Sequence, residues 1–350
     1  MTEGFATPDF SATRLSPEIE LSRRGKHSGW FGLVHSDNAN PLGLYPIPAL
    51  CIAGRPGPTV LLTAGVHGDE YEGPAALMRL FEALSDADIT GRLIILPQLN
   101  APACRAGTRV SPLDGGNLNR LCPGSAEGTP TEQIADLLCH VLFPVADAVI
   151  DLHSGGAASW FVPCALAARR PDGGLDAANM AMAAAFGTKT VWVLGAANDS
   201  RSVNGAATAA GLPCIAAELG GGGSVGLAAL GAAEAGLRGT LAHLGVLAEG
   251  PAPCREQKCV ELAGPGYRVV APERGLFVPF VEAGESVTAG TPLGELRFPD
   301  TPARPALPVL ATVSGLILAE TRRAAVLQGD FLMFVAPEIP ESGPGEGATP

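Results

Sequence analysis

The chain has 350 residues, 47% of them apolar and 17% charged, with a net charge of −12. That composition can bury a large sheet and is far from disorder, and the length predicts two domains, one of about 200 to 250 residues and a smaller one. The acidic balance excludes nonspecific nucleic-acid binding, which draws on clustered Lys and Arg. No apolar run has the eighteen or so residues of a membrane span, and the start MTEGFATPDFSATRL lacks a basic segment followed by an apolar one, so a cytoplasmic protein with no membrane partner is expected.

Residues 1–45 read as an N-terminal extension, followed by a catalytic domain over 46–250. From residue 58 strand-length apolar runs alternate with segments of helical period, the pattern of an α/β layered fold. The predicted order is a strand at 58–66, a helix at 71–84 and a strand at 92–100. Residues 101–130 show no periodicity, and so long a loop inside a compact domain points to function. A helix over 131–147 with Thr131 as its cap runs into a strand at 148–155. Further units are a helix near 175–186, a strand at 190–194, a helix near 203–210, a strand at 213–219 and a helix near 226–247.

Beyond residue 250 the chain becomes a series of short, Gly-punctuated, Val-rich strands, the signature of a small all-β domain, here 251–338. VEAGESVTAGTPLGEL and VSGLIL with VLQGDFLMFV resemble the barrel-sandwich fold of biotinyl and lipoyl carrier domains. A carrier needs a lysine at a hairpin tip, and the last lysine is Lys258, so a structural cap or oligomer contact is expected instead. Residues 339–350 read as a disordered tail.

Eight cysteines occur without a C-x-x-C pair, which argues against both a disulfide framework and a structural zinc site; Cys254 and Cys259 have no second pair to complete four ligands. The metal-binding pattern lies elsewhere. His67-Gly68-Asp69-Glu70 follows the first buried strand, and Asp151-Leu152-His153-Ser154 ends another. Ligands gather at the carboxyl ends of strands in open α/β sheets, so the two segments are expected to converge. His67, Glu70 and His153 then form a His2Glu set, a combination found in catalytic zinc sites that leaves a position open for water. Asp151, two residues before His153, either orients that histidine from behind or caps a loop, and Asp69 reads as a turn residue. His27, His35, His140 and His243 read as structural or solvated.

Glu218 closes the apolar strand PCIAAE ahead of Leu-Gly-Gly-Gly-Gly, and a carboxylate there is costly to bury without a purpose. It is the candidate to take a proton from a zinc-activated water and return it to a leaving amine. The 101–130 loop supplies Arg105, Arg109 and the dipeptide Asn119-Arg120, whose arginine guanidinium groups suit carboxylates and a developing oxyanion.

HGDEYEGP, RAGTRVSPLDGGNLNRLCPG, DLHSGG and ELGGGG, in this order and ahead of a β-rich C-terminal domain, resemble the succinylglutamate desuccinylase and aspartoacylase family over roughly residues 50–335. Within it the likeness is to N-acetyl-diaminobutyrate deacetylases. The resemblance implies a zinc carboxypeptidase-like mixed sheet flanked by helices, with one zinc ion per chain at His67, Glu70 and His153. It also implies Glu218 as base and later acid, Arg109 polarising the scissile carbonyl, and Asn119 with Arg120 holding the carboxylate of a small N-acylated amino acid. LGAANDSRSVNGAATAAG at 194–211 departs from that subgroup, which leaves side-chain specificity and the role of Arg201 open, with exposure of Arg201 favoured. Carboxypeptidase action on short peptides and a non-catalytic binding protein of the same fold remain alternatives, and self-association is left open.

Overall fold

Val60, Leu61 and Leu62 are buried in succession, so this strand needs cover on both faces, which only the interior of a helix-flanked sheet gives. The computed structural model describes residues 4–340 apart from 37, 39, 40, 171, 173, 196 and 197. The first part of the chain forms β1 (Ser16–Pro17), β2 (Gly25–His35), β3 (Gly43–Ala53), β4 (Arg55–Ala64), α1 (Glu72–Ala83), β5 (Thr90–Leu96), α2 (Ala101–Ala106) and α3 (Pro130–Asp136). There follow β6 (Ala148–His153), β7 (Ser159–Ala168), α4 (Ala177–Phe186), β8 (Thr190–Leu194), α5 (Val203–Ala209), β9 (Cys214–Gly221) and α6 (Leu227–His243). The remainder is all strand: β10 (Lys258–Glu261), β11 (Arg268–Val270), β12 (Gly275–Pro279), β13 (Ser286–Val287), β14 (Pro292–Arg297), β15 (Leu307–Leu310), β16 (Gly315–Thr321), β17 (Ala325–Val326) and β18 (Phe331–Ala336).

One large mixed sheet runs β1-β2-β3-β5-β4-β6-β9-β7-β16-β18-β11, with β8 and β10 attached beside β7. Its centre, β5-β4-β6-β9, is parallel, and β7 returns antiparallel to β9. One face is covered by α1, α4 and α6 through residues such as Leu77, Phe186 and Leu237. The other packs Leu61, Ile94 and Val149 against Phe31, Leu138 and Phe143. The segment at 1–45 enters this sheet: β2 pairs with β3 from Gly25↔Ala53 to His35↔Gly43, and β3 pairs with β5.

Three helical expectations shift. The 101–130 loop opens with α2, whose N-cap Asn100 accepts from Ala103 N at 3.5 Å. The expected 131–147 helix is α3 followed by a π-helical stretch Leu137–Leu142 and a 3-10 turn Phe143–Val145. Its cap is Thr129, in a capping box with Glu132, because Thr131 turns its hydroxyl to Asp114 at 2.7 Å instead. The last helix of the α/β part ends at His243, and Gly245 follows at φ +74°, a value that a β-carbon disfavours.

Beyond residue 250 the strands divide. β15-β14-β12-β17 form a four-stranded sheet, and β16, β18 and β11 extend the large one. Both contribute to a single apolar cluster with Phe277, Leu293, Leu296, Ile317, Leu332 and Val335. β10 pairs in parallel with β8, and β16 pairs with β7, so backbone ladders tie this part to the α/β part. Ile339 donates its N–H to Cys259 O at 2.9 Å and packs on the core; the rest of the expected tail from 341 lies outside the described residues. None of the eight cysteines is in a disulfide.

Candidate active site

Three strand ends and one glycine turn set the geometry. β4 ends at Ala64, and His67 and Glu70 lie in the short turn before α1. That turn folds tightly against α2: a β-carbon on Gly68 would lie 2.0 Å from the Ala103 carbonyl carbon, and the Gly68 N–H reaches Thr108 O at 2.9 Å. His153 is the last residue of β6 and stands opposite Glu218 of β9 in the parallel register. The run after Glu218 uses backbone open to glycine: Gly220 to Gly223 all have positive φ, and a β-carbon on Gly221 would meet Ser159 O at 2.4 Å. Glu72 holds this run in place by accepting from Gly221 N at 3.0 Å.

His67, Glu70 and His153 each direct a ligand atom to one point, all within 4.8 Å of one another and all buried. His67 Nδ1 lies 2.7 Å from Glu70 Oε1, and His153 Nδ1 lies 3.0 Å from Glu70 Oε2. The other nitrogen of each ring is occupied from behind. Asn117 Oδ1 stands 3.2 Å from His67 Nε2, and Asp151 Oδ2 stands 2.8 Å from His153 Nε2. With these acceptors taking the Nε2 protons, both Nδ1 atoms would be free to turn a lone pair to a metal in place of the Glu70 contacts. Asp151 is held in turn by the Thr63 hydroxyl at 2.7 Å. Of its two readings, the structure selects the orienting one.

The electrostatics fit a divalent cation. Burial alone would raise the Glu70 carboxyl, but the charges of His67 and His153 hold it well below the usual range. Burial alone would lower His153; Asp151 and Glu70 outweigh that and move it well up. Burial and the charge of Glu70 push Glu218 up to about 8, against the pull of His153 and Arg109. Glu218 Oε2 is buried and has no hydrogen-bond partner. Three carboxylates around two imidazoles, with one carboxyl oxygen orphaned, make a donor set that a metal cation bound by nitrogen and oxygen would fit.

These groups open into a cavity of about 460 Å3. Arg109 reaches it from the long loop, with Nη1 3.6 Å from Glu70 Oε1. Asn119 and Arg120 line it as well, on a 3-10 turn at Leu118–Arg120. Asn119 Oδ1 is used to hold Val203 N at 3.0 Å. Arg120 Nε pairs with Asp199 Oδ2 at 3.2 Å. Arg105 is not part of this group; its guanidinium lies over the Tyr45 ring, 5.1 Å from the centroid.

The divergent segment 194–211 does reach the cavity, through Asn198, Asp199, Ser202 and Asn204, although residues 196 and 197 lie outside the described part. Arg201 is largely exposed and turns back onto Asp199, at 3.0 and 2.9 Å. Asp199, held down to about 2 chiefly by those Arg201 hydrogen bonds, is thus shared between two arginines. Sequence reasoning missed Asp199 and Asn117. Asn117 carried a usable signal, being two residues before Asn119 in a loop already marked as functional. Asp69 remains outside the ligand set and anchors the turn after β6 by accepting from Ala157 N at 2.9 Å. His140 is half-exposed and paired with Asp136 at 2.7 Å, away from the site.

A buried His2Glu cluster at the strand ends of a mixed α/β sheet, with a carboxylate beside it, belongs to a known class of hydrolase. The catalytic domain of the succinylglutamate desuccinylase/aspartoacylase family matches residues 56–244, and the chain belongs to that family. An N-alpha-acetyl-L-2,4-diaminobutyric acid deacetylase of Halomonas elongata is 35% identical over 94% of this chain and 96% of its own length. The product-bound ectoine utilization protein EutE of Ruegeria pomeroyi superposes with a TM-score of 0.89 at 37% identity, covering 93% of this chain and 99% of that one. A succinylglutamate desuccinylase/aspartoacylase of Rhodobacter sphaeroides gives 0.88 at 30% identity, covering 93% and 100%. The large mixed sheet is the fold of this family, and the family's chemistry is the hydrolysis of N-acyl amino acids.

Proposed function

We propose that this chain is a zinc-dependent amidohydrolase that deacylates a small N-acyl amino acid, of the N-acetyl-diaminobutyrate kind. One observation carries the reading: three buried donors converge in a cavity where Glu218, on the neighbouring strand end, keeps a carboxyl oxygen unpaired. The two relatives at 35% and 37% identity, a deacetylase and an ectoine utilization protein, support the acetyl group and the diaminobutyrate skeleton.

His67 Nδ1, a Glu70 oxygen and His153 Nδ1 would hold the ion. Zinc bound there supplies Lewis acidity toward water and the acyl carbonyl oxygen. Glu218 takes a proton from the attacking water as the new carbon–oxygen bond forms, and delivers it to the nitrogen as the carbon–nitrogen bond breaks, so that a carboxylic acid and a free amine leave. Arg109 faces the charge that develops on the carbonyl oxygen. Asn119 and Arg120 receive the substrate carboxylate, with Asp199 and the Asn119 carbonyl fixing the Arg120 guanidinium through Nε and Nη1 and leaving Nη2 to donate. The cavity volume suits a molecule of this size.

The test is a panel of N-acetyl, N-formyl and N-succinyl amino acids incubated with zinc-loaded protein. Release of free amine from N-acetyl-diaminobutyrate, lost on chelation and restored by zinc, is the expected result. Turnover of dipeptides without turnover of any N-acyl amino acid would replace the deacylase reading with a carboxypeptidase one.

A further inference from the structure

We propose that Arg268, contributed by the C-terminal β-rich part of the chain, is a substrate-binding residue that grips a carboxylate of the substrate at the aromatic end of the cavity. This rests on the deacylase reading and extends it, since it adds an anionic subsite that none of the loop arginines provides.

The cavity is longer than the metal cluster requires. From Glu218 its floor continues along the same face of the sheet, back to Ala216 and across Leu166 to Trp192, residues that the register sets side by side. Phe161, Phe331 and Phe334 complete this end. The Phe161 and Trp192 rings stack at 6.3 Å, and Phe334 lies 6.3 Å from both. Arg268 of β11 lines the same cavity, with its guanidinium carbon 5.7 Å from the Phe334 centroid.

Its charge is what sets Arg268 apart. Among the described residues lining the cavity, Arg109 is beside Glu70 and Arg120 is paired with Asp199. Arg268 has the aromatic contact and no carboxylate partner among the described residues. Arg268 is exposed, so its guanidinium is open to an incoming ligand, and its planar fork matches a carboxylate. In a chain of net charge −12, an unpaired arginine facing the site from a second structural unit is a recognition element for the negative end of a ligand. That carboxylate is either the amino-acid carboxylate, which Arg268 would then share with Arg120 from the other side, or the second carboxylate of a dicarboxylic acyl group.

The experiment compares zinc-loaded wild type with Arg268→Met, which keeps the stem on Phe334, and Arg268→Lys, which keeps the charge. Each is given an N-acetyl amino acid, its carboxamide analogue and the N-succinyl counterpart. Arg268→Met is expected to raise KM about 10- to 100-fold for carboxylate substrates while kcat holds within a few-fold, with Arg268→Lys in between. If the effect disappears with the carboxamide, the amino-acid carboxylate is the one gripped. If it is confined to the N-succinyl compound, it is the acyl carboxylate. An unchanged KM in Arg268→Met, or an equal loss for charged and neutral analogues, overturns the proposal. Should wild type hydrolyse no member of the panel, the deacylase reading fails on its own. The subsite is then read by quenching of indole fluorescence as N-acetyl amino acids are titrated, where equal Kd values for wild type and Arg268→Lys beside Arg268→Met would sink it.

Discussion

Asp151→Asn tests whether the cluster owes its donor geometry to groups behind it. Asp151 is 1% exposed and makes two short contacts, to His153 Nε2 at 2.8 Å and to the Thr63 hydroxyl at 2.7 Å. Asparagine keeps the volume and one acceptor but loses the charge. A hydrogen bond to a charged group contributes about 1.5–3 kcal/mol and a neutral one about 0.5–1.5, so the His153 contact weakens by about 1–1.5 kcal/mol. That is about a 5- to 13-fold loss of metal affinity by the usual conversion. An asparagine turned the other way would donate to Nε2, move the ring proton to Nδ1 and block the ligand lone pair, taking the loss toward the ~100-fold seen when such partners are removed. Zinc affinity measured by competition with a chromophoric chelator, on protein whose melting curve shows a single folded state, reads this directly. Wild-type affinity in Asp151→Asn would refute the orienting role.

His153→Ala should purify with almost no zinc and without amidase activity, as metal analysis and the substrate panel will show. Glu218→Gln should keep its zinc and lose about 10²- to 10⁴-fold in kcat; full turnover would remove Glu218 from the mechanism. In metal-free protein the Glu218 carboxyl is raised from 4.5 to about 8 by burial and by Glu70. The folded state therefore binds its proton more tightly, and stability falls as pH rises from about 4.5 to about 8. Metal-free Glu218→Gln should melt with wild type near pH 5 and above it at pH 8, in paired thermal scans; the reverse order would contradict the burial argument. Gly68→Ala places a β-carbon 2.0 Å from the Ala103 carbonyl carbon, so a loss of about 1–3 kcal/mol in urea unfolding, together with reduced zinc content, is expected.

The parts that were legible from sequence are those in which local pattern decides. The buried runs at 58–66, 148–155 and 213–219 must be central strands, and the residues that follow or close them, His67, His153 and Glu218, had to meet at one edge. β2 was read only as part of an extension and β3 was not read as a strand, because GKHSGWFGLVH and GLYPIPALCIA mix Gly, Pro and polar residues. The strand character of β3 comes from pairing with β5, and that of β2 from pairing with β3, which no local window contains. Arg105 illustrates the limit for the site. It shares a loop with Arg109, yet four residues of chain direction send it to Tyr45. Asp199 and Arg268 lie 19 and 50 residues from Glu218, and their place in the cavity follows from tertiary packing alone. The cap at Thr129 was displaced by two residues because Asp114, 17 positions upstream of Thr131, competes for the Thr131 hydroxyl.

The ladders that join β16 to β7 and β10 to β8 bear on how the enzyme would work in time. Moving the part that carries β16 and β10 away from the α/β part would break these main-chain hydrogen bonds, so such a motion carries a cost that a hinged lid on a free loop does not. Entry and exit would then pass side chains of the 101–130 loop and of 198–204, which line the cavity. Selection of the substrate by size would be a property of the resting protein, present before any ligand arrives.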